Sequence, residues 1–110
     1  RPTYSYLGEF TISDKTVTEL ILYICRHSEY VAEVIKCSFK SDPEGVSIYI
    51  TAIFRYGPQL HKRAQELQEL VSKEVEKMTA FNILSVNIEI RGLRPEDKRD
   101  GPEAASQAER

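Results

Sequence analysis

A membrane-crossing segment is missing from this chain. Its longest uninterrupted apolar run, Leu20–Cys25, spans six residues, against the ~20 that a transmembrane helix needs. Direct membrane insertion is therefore not expected. An excess of charge of one sign is missing too. With 15 lysines and arginines against 17 acidic residues, the net charge is -2, which gives no overall electrostatic footprint for nucleic acid or an anionic membrane. Cysteine and histidine are scarce, at two each. Cys25 and Cys37 fit no zinc or redox spacing. Both read as small buried hydrophobes, which suits a reducing compartment. No glycine-rich phosphate loop, nucleophile elbow or metal-ligand cluster is legible. The acidic pairs Glu66/Glu69 and Glu74/Glu76 lie in polar stretches, where nothing would raise one carboxyl to serve as an acid. The expectation is a protein that is not an enzyme and takes no cofactor and no metal.

What is present is patterning. At 110 residues with 41% hydrophobic content, the chain reads as one domain, burying roughly two thirds of its unfolded surface. Residues 1–5 read as a flexible lead-in, 6–93 as a single α+β domain, and 94–110 as a charged tail. The tail has no aliphatic residue larger than alanine, so disorder is expected there, and it should be dispensable for folding. Gly8–Ile12 alternates with period two. Ser13 suits a helix N-cap, with Asp14 in the first turn, and Val17, Leu20, Ile21 and Ile24 make one helical stripe ending near His27. Ile35, Cys37 and Phe39 alternate again. Asp42-Pro43-Glu44-Gly45 is a turn, since Pro43 presets φ and Gly45 tolerates a positive one. Val46, Ile48, Ile50, Ala52 and Phe54 then face one way. A long helix from Pro58 to about Ala80 carries Leu60, Ala64, Leu67, Val71, Val75 and Met78 at threes and fours, and Ile83–Arg91 alternates last.

The order β-α-β-β-α-β predicts a ferredoxin-like four-stranded sheet with two helices on one face. Its first and third strands would be central. The predicted core is Phe10, Ile12, Val17, Leu20, Ile21, Ile24, Ile35, Phe39, Ile48, Ile50, Phe54, Leu67, Val71, Val75, Val86 and Ile88.

This fold carries many functions, so function has to be sought on surfaces. His27 sits at a helix C-terminus, where an imidazole is favourable. His61, Lys62 and Arg63 fall in the first turn of the long helix. There amide donors, dipole and cations could converge on an anion. Tyr49 and Ile53 point away from the core on the strand read as central, which marks a contact surface for a protein partner or a second copy. The last strand, with Asn87, Glu89 and Arg91 outward, should be an edge able to accept another strand. Tyr49 is the one aromatic clearly on that open face, so no nucleic-acid complex is expected.

Taken in order, Gly8-Glu9-Phe10-Thr11-Ile12-Ser13 with Val17, the strand Val46–Phe54 with Tyr56-Gly57, then Gln65, Val71, Val75, Glu76, Met78 and Thr79, and finally Val86-Asn87-Ile88 with Gly92-Leu93 form one pattern. That pattern resembles the alkaline shock protein family of envelope stress-response proteins from Gram-positive bacteria. Where the family often has Met-Thr-Gly-Leu, this chain has Met78-Thr79-Ala80-Phe81. The resemblance implies a non-enzymatic, cytoplasmic interaction or scaffold protein in cell-envelope homeostasis or stress response. It also implies, for some members, a place at the inner face of the membrane through a membrane-anchored partner, and self-association. A small-ligand sensing module dimerising through its sheet is the alternative.

Overall fold

The computed structural model describes residues 2–95, and the side chains from Tyr6 onward. The expected tail lies outside the described residues from Glu96 on. The elements in chain order are β1 (Pro2–Ser5), β2 (Gly8–Thr11), α1 (Asp14–Arg26), β3 (Val31–Asp42), β4 (Gly45–Arg55), α2 (Leu60–Thr79) and β5 (Ile83–Arg94).

The predicted helices and the three later strands are present, but the sheet differs from the ferredoxin-like arrangement. It has three strands in the order β3-β4-β5. β3 and β4 are antiparallel, and β4 and β5 are parallel and directly adjacent. The segment expected as a central strand, Gly8–Thr11, instead pairs with Pro2–Ser5 in a separate two-stranded hairpin. So Pro2–Ser5 is a strand and not a loose lead-in. The reason is length. β4 and β5 pair from Val46 to Arg55, and a four-residue strand between them would leave most of both ladders unsatisfied. The 20-residue helix α2 supplies the crossover that a parallel neighbour requires.

Local chemistry explains the element ends. Ser13 Oγ accepts from the Thr16 amide at 3.1 Å, the expected N-cap. In the β3–β4 turn, Asp42 Oδ1 accepts from the Glu44 and Gly45 amides at 3.0 and 3.2 Å, an Asx turn. Gly45 has a φ of 154° and lies against the α2–β5 loop. Val46 N–H donates to the Asn82 carbonyl at 2.8 Å, and Asn82 Nδ2 returns a bond to the Glu44 carbonyl at 2.8 Å. Two loops far apart in sequence are thereby clamped together. Helix α2 starts later than predicted, after Gln59, whose φ of 54° is left-handed and whose side chain gives no cap. It ends on Ala80, also left-handed at φ 64°.

Left-handed backbone costs a residue with a Cβ about 1–2 kcal/mol, and glycine is the usual C-cap. Ala80 stands where the family often has glycine, so the departure seen in the sequence is a strained cap. Ala80→Gly is expected to raise stability by about 1 kcal/mol, read as a higher midpoint in urea denaturation with an unchanged slope.

The core lies between the helices and one face of the sheet. It is built from Val17, Ile21, Ile24 and Cys25 of α1, Val31 of β3, Val46, Ile48, Ile50, Ala52 and Phe54 of β4, Leu67, Val71 and Val75 of α2, and Val86 of β5. Ile12, Leu20, Phe39 and Ile88 pack around it as expected. Three apolar residues read as inward are not. Phe10 is 51% exposed because its hairpin stands apart from the sheet. Ile35 is exposed because the β3 register slips between Val34 and Lys36, leaving it unpaired at the bulge. Met78 is 62% exposed at the end of α2.

Burial also sets the two thiols. Cys25 and Cys37 are free. Burial pushes the Cys25 thiol up to about 12, helped by the neighbouring Cys37, and pushes Cys37 to about 11. Because both folded values exceed the unfolded one of 9.0, this stabilisation is complete below pH 9 and is lost as pH rises toward 11–12. For Cys25 the loss amounts to roughly 1.4 kcal/mol per pH unit across that window. Native protein at pH 8 is expected to react with iodoacetamide orders of magnitude more slowly than urea-unfolded protein, and Cys25→Ala should flatten the alkaline limb of the stability profile.

Candidate interaction surface

The face of the sheet opposite the helices is defined by register. Ser47 of β4 lies between Lys40 and Ser85, Tyr49 between Ser38 and Asn87, Thr51 between Lys36 and Glu89, and Ile53 between Glu33 and Gly92. Arg55 and Arg94 close the far end as a pair. Tyr49 is 42% exposed at the middle of the central strand, surrounded by short side chains. This is where the sequence placed it. Asn87 Nδ2 donates to the Ile48 carbonyl at 3.1 Å and to Ser85 Oγ at 3.0 Å, so it is fastened down rather than offered to a partner.

Ile53 is less available than its alternation implied. Arg94, on β5, reaches across β4 to Glu33 on β3 with an ion pair of 2.8 Å. Ile53 lies between the two strands that this bridge connects, beside Gly92, and is half-buried. Glu89 is likewise engaged. It holds Arg91 at 3.3 Å and accepts a long 3.5 Å bond from Thr51 Oγ1. Exposed ion pairs add little to stability, but these fix which charges on the face are already satisfied.

β5 is an edge strand, as expected, but its first half is not an open one. Ile83 N–H donates to Glu76 Oε2 at 3.1 Å, and the Val86 carbonyl accepts from Gln68 Nε2 at 3.0 Å. Two backbone groups that another strand would have used are taken by side chains of α2. The groove beside them, about 540 Å³, is lined by Gln68, Glu69, Ser72, Lys73 and Ile83–Val86.

At the start of α2, the structure does not bring Arg63 together with the other two residues of the candidate anion site. His61 and Lys62 are exposed. Arg63 turns away, with its guanidinium 5.1 Å from the centroid of the Tyr30 ring and Nη1 donating to the Arg55 carbonyl at 3.4 Å. A Cβ on Gly57 would come within 2.3 Å of that guanidinium, so the glycine makes room for it. Glu66 accepts from the Tyr30 hydroxyl at 2.5 Å. That bond, with lesser contributions from desolvation and from the carboxylates of Glu66 and Glu29, raises the Tyr30 pKa. His27 caps α1, its Nδ1–H donating to the Tyr23 carbonyl at 2.9 Å while the two rings lie 4.0 Å apart.

Sequence reasoning missed the Tyr30–Arg63–Glu66 cluster, which joins residues 36 positions apart. It borders an open groove of about 420 Å³ with His27, Ser28, Glu29, Leu67 and Leu70. The cluster ties the start of β3 to α2. Among the described residues, no group of three or more His, Cys, Asp and Glu could hold a metal ion. Among the described residues no helix is long and apolar enough to cross a membrane.

Among the described residues the molecule is thus a small α+β domain whose two helices cover one face of a mixed sheet and leave the other bare. Residues 29–95 match the model of the alkaline shock protein 23 family, described as having a cell envelope-related function. That stretch is well over half of the chain, and the chain belongs to this family, as the sequence resemblance implied. The match runs from just before β3 through β5, so it includes the whole sheet and α2. The early part of the resemblance, Gly8–Ser13 and Val17, lies outside it. No curated protein matches the chain.

Proposed function

We propose that this protein is a non-enzymatic interaction module that serves the cell envelope by holding a protein partner, or a second copy of itself, on the helix-free face of its sheet. The family supports the envelope setting. The observation that carries the surface is Tyr49, a large ring 42% exposed at the centre of the middle strand with no helix over it. In this reading the protein works in the cytoplasm and reaches the inner face of the membrane through a membrane-anchored partner. It makes no sequence-specific complex with nucleic acid.

Aromatic side chains at the centre of an interface commonly dominate its energy. Tyr49→Ala is therefore expected to weaken partner retention or self-association about tenfold or more while circular dichroism stays unchanged. Ile53→Asp is the less clean variant, because a carboxylate there competes with Glu33 for Arg94. The measurement is sedimentation velocity over a wide concentration range, together with co-purification from detergent-solubilised membranes of the native host. Equal retention and identical monomeric sedimentation of wild type and Tyr49→Ala would remove the sheet-face reading.

A further inference from the structure

The bare face of the sheet has a charge opposite to that of the chain as a whole. Among the described residues its cations are Lys36, Lys40, Arg55, Arg91 and Arg94, and its anions are Glu33, Asp42 and Glu89. Glu33 and Glu89 are already held by Arg94 and Arg91, and Asp42 accepts from the amides of its own turn. Lys36, Lys40 and Arg55 remain exposed, and their side chains make no hydrogen bond or ion pair among the described residues. A net-cationic face on a protein of net charge -2 is not explained by solubility, which the overall charge already serves. Nor does it stabilise the fold, since these three side chains touch no opposite charge.

The spacing is informative. Lys36 and Lys40 are four residues apart on one face of β3, which places them roughly 13 Å apart along the strand. Between them lies Ser38, and beside Ser38 on β4 is Tyr49. The short side chains Ser38, Ser47, Thr51 and Ser85 leave the surroundings of the ring low and flat. An extended peptide repeats its side-chain direction at every second residue with the same rise. Resting on its proposed role as a partner-binding surface, we infer that this half of the face takes an acidic, extended segment of a protein partner. That segment presents an acidic, an apolar and an acidic side chain at alternate positions. The two carboxylates meet Lys36 and Lys40, and the apolar side chain lies on Tyr49. RNA is the other anionic polymer such a face could attract. The structure favours peptide, because single-stranded RNA binding relies on several stacking aromatics and this face exposes one.

The test is a titration of the isotopically labelled full chain, followed by amide chemical shifts. One arm is a blocked serine-rich peptide with one leucine flanked at alternate positions by two glutamates. A second arm carries lysines in place of the glutamates, and a third is single-stranded RNA of mixed sequence. The glutamate peptide is expected to give saturable shifts confined to residues 36–40 and 47–51, weakened at least tenfold by Lys36→Glu with Lys40→Glu and by physiological salt. That double variant should melt with the wild type, since both lysines are exposed. No saturable shift, shifts elsewhere, equal binding of the lysine peptide, or tighter binding of RNA to the same residues would each overturn the inference. Running the double variant in the partner co-purification separates the two claims. Loss with Tyr49→Ala but not with the lysine variant ends the acidic-segment inference alone, and loss with neither ends both.

Discussion

Phe54→Ala is expected to lower the free energy of unfolding by about 3–5 kcal/mol. Phe54 is fully buried near the end of the central strand, and it is the largest of the fully buried side chains. It sits where α1, α2 and all three strands of the sheet contribute to one cluster. Its ladder partners are Val31, itself buried, and Leu93. Removing the ring leaves a cavity walled by the ends of several elements, which cannot all collapse into it. A domain of this size has a total stability of only about 5–15 kcal/mol, so the loss is a large fraction of the whole. Urea denaturation followed by circular dichroism is the measurement. Phe54→Leu, which keeps most of the volume, should recover much of the loss. A midpoint unchanged in Phe54→Ala would mean that the core is not centred on this strand.

Gly45→Val is the second large effect, and it operates through backbone rather than volume. At a φ of 154° the position suits glycine, and a Cβ there would lie 2.5 Å from the Asn82 carbonyl oxygen and 2.8 Å from Leu84 Cγ. The first of these is backbone and cannot swing aside. Accommodating a side chain means separating the β3–β4 turn from the α2–β5 loop, with loss of the Val46–Asn82 and Asn82–Glu44 hydrogen bonds. Strain and lost bonds together are expected to cost on the order of 3 kcal/mol. Asn82→Ala removes only the side-chain bond and should cost about 1 kcal/mol. If Gly45→Val were as mild as Asn82→Ala, the two loops would not be clamped in solution.

These effects also show which parts of the molecule were legible from sequence. Period-two and period-3.6 patterns located α1, β4, α2 and β5, because each buries one clean face. The Ser13 cap and the Asp42 turn were readable because their chemistry is local. Topology was not, since alternation in Gly8–Ile12 says which way side chains point and nothing about which strand lies alongside. Pairing was decided by lengths, with β4 and β5 able to satisfy each other from end to end. Ile35 was misread for a related reason. A bulge changes the phase of a strand without leaving a mark in the pattern. Of the candidate surface, Tyr49 was legible as an outward residue of a central strand. The commitments of Arg94, Arg91, Arg63 and Asn87 were not, because they are made across strands or between elements far apart in the chain. The sequence-wide charge hid the cationic face for the same reason, because it averages over surfaces that the fold separates.

The side chains that α2 lends to β5 set a limit on how copies of this protein can pile up. A long strand at the rim of a sheet is a template on which a second molecule can crystallise its own backbone, and repetition of that step gives a cross-β ribbon. Here Gln68 and Glu76 occupy rungs of that template. Both sit on α2, which packs beside this strand. Pairing through this half of β5 therefore has to displace two side-chain hydrogen bonds first, so two residues outside the proposed recognition surface make that edge a poorer template than its length suggests.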